Sequence, residues 1–257
     1  MDRNSLTALA LLGWFVILAV AESVFARGDA VPDAGSDSRL LTNFGLTSVL
    51  IFSGGLFPLV NIGSSIFGHR LNVGLAQNLT LPWAAIFGLT LIAQTFTDYW
   101  VHRLMHATPL LWRVHRVHHA DTWVDVSTSL RNHPLELLVT IPASSMVVLA
   151  LGSPVSVVAA VDSIFVAATI WQHADIPLPD WLDRALCVVV FTPRLHRLHH
   201  DPERRIHDHN YGNLIIFWDW LFGTLNSSKT RGRVGLDGQT SRPDHLLEQI
   251  CSPLYGI

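Results

Sequence analysis

Charged residues and cysteine are both scarce in this sequence, and each shortage excludes a class of protein. Asp, Glu, Lys and Arg make up only 14% of the 257 residues, whereas soluble domains carry about 25%. Hydrophobic residues make up 49% and the mean hydropathy is +0.35, which indicates a membrane protein. The formal net charge of -3 is too small to indicate nucleic acid as a partner.

Several common motifs of cofactor binding and catalysis are also missing. Cys187 and Cys251 form neither a disulfide framework nor a CxxC pair, so nitrogen ligands would have to hold any metal. The sequence has no Walker loop, no GxGxxG after a strand and no GxSxG elbow. A functional site must therefore be sought among the histidines.

Long stretches without a charged residue predict membrane helices. Residues 4–21 predict an uncleaved first helix, with a signal peptide as the alternative. Residues 40–68 predict a second span as far as about residue 60. Residues 71–97 predict a third, with Pro82 suited to a helix start.

The next uncharged stretch predicts a helical hairpin of residues 135–151 and 155–172, which either crosses the bilayer or dips in and returns. Asp162 lies inside its second helix, where a charge costs about 2.5–3.5 kcal/mol on insertion scales. We expect Asp162 to face the bundle or the site, and either to touch the substrate or to bond a neighbouring helix.

The predicted fold class is an all-α integral membrane bundle of four to five hydrophobic helices, with a cytosolic, histidine-rich helical cap. Only four of the seventeen Arg and Lys residues precede residue 100, which predicts that the histidines and the C-terminus are cytoplasmic. The predicted divisions are membrane helices and loops in 1–84, a catalytic domain in 85–225, and a polar, loose tail in 226–257.

Histidine is abundant: there are fourteen, and eight of them fall in three short boxes. The boxes are His102-Arg-Leu-Met-His106, His115-Arg-Val-His-His119 and His196-Arg-Leu-His-His200. Residues three or four apart share one face of a helix, so each box can direct its imidazoles at a common centre. One such box is more often a surface feature than a metal site, but three in order at the ends of apolar helices predict metal binding.

Eight imidazoles exceed the four to six ligands of one ion, so two ions are the economical interpretation. Imidazole suits iron, zinc, copper and nickel. Arg103 follows His102 where a zinc peptidase of the HExxH type has glutamate, which argues against hydrolysis. A site at the membrane face indicates a substrate drawn from the bilayer.

The boxes and the residues around them resemble the fatty acid hydroxylase and sterol desaturase superfamily of integral membrane oxygenases. The further matches are Asp98-Tyr-Trp-Val-His-Arg, Asn132-His133-Pro134-Leu-Glu136, Asn210-Tyr211-Gly212, Trp218-Asp219 and Phe222-Gly223-Thr224. The resemblance covers roughly residues 85–225.

This resemblance implies a di-iron centre, dioxygen as co-substrate, and electrons from a separate redox protein. It implies that the ligands are His102, His106, His115, His118, His119, His196, His199 and His200, and that His173 is a further ligand. Thr169 stands where some members have another histidine. Zinc could replace iron in preparations.

Other residues near the boxes are candidates for supporting hydrogen bonds or an additional ligand: Asp98, His133, His209 and Asn210. Asp98 either accepts an N–H from a ligand or is a helix-end carboxylate in water. His133 is predicted to be a structural hydrogen-bond donor. Arg103, Arg116 and Arg197 either bind an anionic head group or mark the cytoplasmic face.

Three functions remain open from sequence. The first is hydroxylation of an unactivated C–H bond of an acyl chain, a sterol-like ring or a carotenoid. The second is desaturation, which begins with the same hydrogen abstraction. The third is a membrane metal-binding protein without catalysis, against which stands the clustering of unbroken boxes at one membrane face.

Overall fold

The computed structural model describes residues 3–25, 36–53, 57–228, 233–238 and 242–255. It is 71% helical, and within those ranges the backbone forms no strand, only an isolated antiparallel bridge between Val190 and Ile215. The predicted all-α membrane bundle with a histidine-rich region is therefore confirmed.

The helices follow one another with short connections. The longer ones are α1 (Arg3–Phe25), α2 (Ser36–Phe52), α3 (Phe57–Arg70), α5 (Trp83–Ala107), α6 (Pro109–His119), α7 (Leu137–Leu151) and α8 (Val155–His173). The shorter ones are α4 (Leu75–Asn78), α9 (Asp180–Leu186), α10 (Pro193–His199), α11 (Arg204–His207), α12 (Phe217–Leu221) and α13 (Leu246–Cys251). Single 3₁₀ turns occupy Val126–Leu130, Pro134–Glu136 and Ser252–Leu254.

Among the described residues, three segments are long and apolar enough to cross a membrane: Leu6–Phe25, Pro134–Leu151 and Val155–His173. A fourth span results if Leu59–Asn78 and Trp83–Ala107 are counted as one unit, although its two parts meet at 102°.

The predicted second and third spans differ from the structure. Residues 40–60 are divided between α2 and α3, and residues 54–56 lie outside the described part of the chain. The third span begins at α5 and not at residue 71. Pro82 is the N-cap of α5, and because proline has no N–H to donate within a helix, the chain breaks there and leaves α4 as a separate turn.

Two glycines shape the turn of the α7–α8 hairpin, which agrees with the prediction. Gly152 ends α7 in the left-handed conformation, with φ of 63°. Gly74, with φ of 115°, lies so close to it that a Cβ on Gly74 would collide with the backbone of Gly152. This approach joins the α3–α5 connection to the hairpin.

Helix α1 lies at the edge of the bundle and α8 at its centre. Ile17 of α1 is 62% exposed, whereas Val157 of α8 is fully buried. The Trp14 indole donates to the carbonyl of Ala167 at 3.0 Å and attaches α1 to α8. A continuous exposed apolar face of this kind fits contact with lipid chains.

A buried polar network ties α2 to the segment after α6. Arg39 pairs with Asp121 at 3.1 Å and with Asp125, and Asn43 donates to Asp121 at 3.1 Å. Arg131, which is fully buried, donates to Asn43 Oδ1 at 2.8 Å. Because buried charges persist only when they are paired and hydrogen-bonded, this network fixes the connection between α6 and α7.

Residues 108–133 and 174–228, which surround the second and third boxes, form the cap. The C-terminal segment packs on the cap, so the predicted looseness is wrong for residues 242–255. Cap side chains donate to its carbonyl oxygens at 2.7–3.0 Å: Arg131 to Pro243, His133 to Ile250, and Arg116 to Ser252. Helix α13 also contacts α2. The carbonyls satisfy buried donors of the cap, which a polar composition alone does not predict.

Candidate metal centre

Four helices bring the nine histidines predicted as ligands to one region. The first box lies near the carboxyl end of α5, the second in α6, and the third in α10 and the residue that follows it, while α8 ends on His173. Eight of the nine rings are buried, and His102 is half-buried.

The nine rings separate into two groups. The first histidine group consists of His102, His106, His115, His119 and His199, and the second of His118, His173, His196 and His200. Within each group, the ligand nitrogens all lie within 4.8 Å of one another. Each group could therefore hold a metal ion.

Both HxxHH boxes contribute to both groups. In α6, the i,i+4 pair of His115 and His119 joins the first group, and His118 joins the second. The third box has the opposite assignment: its i,i+4 pair, His196 and His200, joins the second group, and His199 joins the first. Because residues four apart share a helix face and the third histidine lies on a neighbouring face, one short helix serves two centres.

Backbone carbonyls fix the orientation of several rings. Each of these rings donates its Nδ1–H to a carbonyl oxygen: His102 to Tyr211 (2.7 Å), His118 to Arg131 (3.2 Å), His173 to Thr169 (2.7 Å) and His199 to His209 (2.7 Å). A carbonyl only accepts, so Nδ1 carries the proton, and the neutral ring then has only a lone pair at Nε2.

Those lone pairs point at one another. The Nε2 atoms of His102 and His199 are 2.9 Å apart, and those of His118 and His173 are 3.2 Å apart. Neither nitrogen in these pairs has a proton to donate, so the pairs repel unless a cation lies between them. Two nitrogens that each lie about 2.1 Å from one ion are at most about 4.2 Å apart, so the observed spacing allows both nitrogens of a pair to bind the same ion.

Histidine nitrogens that are buried without a hydrogen-bond partner also indicate metal binding. Within the described part of the chain, His106 Nε2 and both ring nitrogens of His119 are buried without a hydrogen-bond partner. Buried polar atoms almost always have a partner, so exceptions require an explanation such as an ion. Both groups therefore fit metal ions held by nitrogen.

Two carboxylates contact the outer nitrogens of the first group. Glu136 lies 3.4 Å from His115 Nδ1, and Asp208 lies 3.3 Å from His106 Nδ1. Carboxylates at this position orient metal-bound histidines and strengthen their binding. Sequence reasoning assigned a role to neither, although Glu136 stands in a quoted motif. His207 also approaches His106 and Asp208, and stacks on Trp112.

Burial holds the pKa of the cap histidines well below the ordinary histidine value, and neighbouring imidazoles lower it further. The rings affected are His118, His119, His196, His199 and His200. They are therefore neutral at pH 7, which is the form that binds a metal.

The other predicted residues occupy supporting positions. Asp98 lies inside α5 and lines the cavity described below, so it is not a helix-end carboxylate. The other alternative, a bond from His102, is not observed either, because His102 donates its Nδ1–H to the carbonyl of Tyr211. His133 accepts from the Leu135 N–H at 3.1 Å and donates to the C-terminal segment.

His209 contributes its carbonyl to His199, and its ring belongs to neither histidine group. Asn210 adopts a left-handed conformation with φ of 59°, and its amide donates to the carbonyls of Leu195 and Asn226 at 2.9 and 2.8 Å. Both residues thus shape the loop that positions the third box.

The three arginines between the ligands all have protein partners. Each donates a hydrogen bond: Arg103 to the Tyr99 hydroxyl (3.1 Å), Arg116 to the Ser252 carbonyl (2.7 Å) and Arg197 to Asp175 (3.4 Å). These bonds hold the three side chains against the protein.

A cavity of about 420 Å³ connects the histidines with the membrane helices. Members of both groups line one end, among them His102, His118 and His173. Its walls come from α5, α7 and α8 and include Phe165 and Ile170. The cavity therefore leads from the hydrophobic part of the bundle to both candidate metal sites.

Comparison with known proteins gives consistent similarities. Human alkylglycerol monooxygenase is 29% identical over 163 residues, which cover 61% of this chain and 34% of that protein. Ornithine lipid hydroxylase OlsE of Rhizobium tropici is 28% identical over 174 residues, which cover 67% of this chain and 51% of that protein. Very-long-chain aldehyde decarbonylase GL1-8 of Oryza sativa subsp. japonica is 29% identical over 174 residues, which cover 64% of this chain and 63% of that protein.

The chain spans about a third to a half of the length of the first two relatives. No solved structure has significant similarity to it. The family model described as fatty acid hydroxylase matches residues 87–224, more than half of the chain and close to the predicted extent of 85–225. With its three histidine boxes inside that match, the chain belongs to the fatty acid hydroxylase family.

Proposed function

We propose that this protein is a membrane-bound di-iron oxygenase that hydroxylates an unactivated C–H bond of a lipid with dioxygen and external electrons. The observation that carries the proposal is the cavity, which runs between membrane helices and ends at both histidine groups. A lipid chain in this cavity lies against the candidate metal sites without leaving the bundle.

Two ions follow from the division of the ligands. One set of five and one set of four nitrogens each match the ligand number of a single ion. Iron is favoured over zinc because oxygenation requires a redox-active metal and zinc has no redox chemistry. The names of the relatives include a monooxygenase and a hydroxylase, which supports the same choice. When bound, the iron pair supplies the activation of dioxygen that amino-acid side chains cannot provide.

The residues of this chain would hold the metal ions, orient the lipid chain and shield the reacting carbon from water. Backbone carbonyls and Glu136 fix the ligand rings, so the centre needs little rearrangement on binding metal. Phe165, Val166 and Ile170 form apolar walls that align a hydrocarbon chain and exclude water from the reacting carbon.

Electrons come from a separate redox protein in this proposal, since the sequence has no motif for a nucleotide cofactor and no CxxC pair. We also propose that the histidine groups lie on the cytoplasmic side. Thirteen of the seventeen Arg and Lys residues follow residue 100, and the positive-inside rule associates such an excess with cytoplasmic segments.

The experiment compares lipid extracts from cells that express the wild-type chain or His118→Ala. His118 belongs to the second group and lines the cavity. We expect wild-type extracts to contain a lipid with one additional oxygen, and the variant to lose this product together with the iron of the second histidine group. A loss of two hydrogens would identify a desaturase instead.

Two results would contradict the proposal. One is a His118→Ala protein with full iron content and activity. The other is a wild-type protein that binds zinc alone and consumes no oxygen when a reductant is supplied, which would favour a non-catalytic metal-binding protein.

A further inference from the structure

The end of the cavity away from the histidines is polar. Asp162 lines it and is only 6% exposed, although it lies in a membrane helix. Asn61 of α3 donates to both carboxylate oxygens at 3.1 and 3.3 Å, and to the Ser144 hydroxyl at 2.8 Å. Gln94 of α5, which also lines the cavity, donates to the Ser144 carbonyl at 3.1 Å. We name these four residues the distal polar cluster.

The distal polar cluster lies far from the candidate metal sites. Asp162 and His173 are eleven residues apart in α8, which corresponds to roughly 16 Å along the helix axis. Gln94 and His102 are eight residues apart in α5, or roughly 12 Å. Between the two ends the walls include the apolar Val101, Phe165 and Val166 and the polar Thr97 and Asp98. The cavity therefore has mostly apolar walls, with the histidines at one end and the distal polar cluster at the other.

A helix–helix bond alone does not explain this arrangement. Asn61 provides one amide group, whereas a carboxylate has about four lone-pair positions, so Asp162 keeps acceptor capacity on the side that lines the cavity. A carboxyl group in a membrane helix is costly, and such groups usually mark a substrate path.

We propose that the distal polar cluster binds a hydroxyl group on the part of the lipid substrate that is remote from the oxidised carbon. A hydroxyl both donates and accepts, so it pairs with a carboxyl group in either protonation state, whereas an anionic group would be repelled by the ionised form. This inference rests on the proposed function in one respect, that the cavity holds the substrate.

The test measures binding, so that it does not depend on turnover. The probes are methyl laurate and its ω-hydroxy counterpart, which differ by one hydroxyl at the end of the chain and carry no other hydroxyl. Each is titrated against the metal-loaded protein in detergent, and affinity is obtained from the rise in the midpoint of thermal unfolding. We expect the wild-type protein to bind the ω-hydroxy probe about tenfold more tightly, as for a hydrogen bond to a charged group.

The variants are Asp162→Asn, which keeps the size of the side chain, and Ser163→Ala as the matched control. Ser163 is the next residue of α8, and its hydroxyl donates to the Ala159 carbonyl within the same helix at 2.6 Å. We expect Asp162→Asn to reduce the preference to less than about threefold and Ser163→Ala to retain it.

The inference is overturned if the wild type shows no preference, if Asp162→Asn lowers stability but keeps the preference, or if Asp98→Asn and not Asp162→Asn removes it. A failure of the proposed function is a different result, because a protein without oxygenase activity can still distinguish the two probes.

Discussion

The Nε2 atoms of His118 and His173 lie 3.2 Å apart, although 55 residues separate them in the chain. Each ring already donates its Nδ1–H to a backbone carbonyl, so a lone pair faces a lone pair. An ion held by both nitrogens would remove this repulsion and would link α6 to α8.

Replacing His173 with alanine should remove one ion and leave the other. The second group then has three nitrogens, whereas the first keeps five. We expect metal content to fall by about half, measured by elemental analysis of purified protein. The matched variant is His102→Ala, which removes one ligand of the first histidine group and should lower the metal content of that group. Full loss of metal from His173→Ala would indicate a single shared centre.

The Glu136 carboxylate should control metal affinity without being a ligand. It lies 3.4 Å from His115 Nδ1, and its other oxygen is buried without a partner in the described part of the chain. We expect Glu136→Gln to weaken metal binding about 10- to 100-fold in a competition assay with a chelator. Glu248→Gln is the control, because Glu248 pairs with the exposed Arg242. Equal affinities in both variants would show that Glu136 has no such role.

The Arg131→Met variant should be strongly destabilised. Arg131 is fully buried and donates to Val117, Asn43 and Pro243 at 2.7–2.8 Å. Its loss leaves buried acceptors unpaired, which lowers the free energy of unfolding by about 3 kcal/mol or more. We expect the midpoint of thermal unfolding to fall by roughly 6–12 °C.

The control for this prediction is Arg233→Met. Arg233 forms an exposed i,i+4 ion pair with Asp237 at 2.9 Å, and such pairs contribute about 0–1 kcal/mol. A similar shift in both variants would contradict the role assigned to the buried network.

Gly74→Ala should disturb the turn of the hairpin. At φ of 115° alanine is strained, and its Cβ would collide with the backbone of Gly152, which cannot move as a side chain can. We expect a loss of about 2 kcal/mol or more, measured by thermal unfolding in detergent. Gly88→Ala in α5 is the control, because its Cβ meets nothing within 4 Å and helix propensity favours alanine by about 1 kcal/mol. Equal effects would mean that the glycine contact is unimportant.

The sequence by itself determined the class of the protein and the residue types of the site. A run of about 20 uncharged residues in lipid satisfies its own backbone hydrogen bonds as a helix, so the length of these runs predicted the all-α membrane fold. The i,i+4 spacing within each box is local, and local spacing alone predicts that His102 and His106 share a face.

Only the tertiary structure decided which histidine joins which group and what lies around them. The histidines of α6 are divided between two groups whose other members come from distant parts of the chain. Glu136 contacts His115, and Asn61 contacts Asp162, and these pairs are also distant in sequence. Such contacts depend on how whole helices pack, and helix periodicity places no constraint on the partner across the interface. Periodicity therefore fixed the faces of the helices, and packing assembled them into a site.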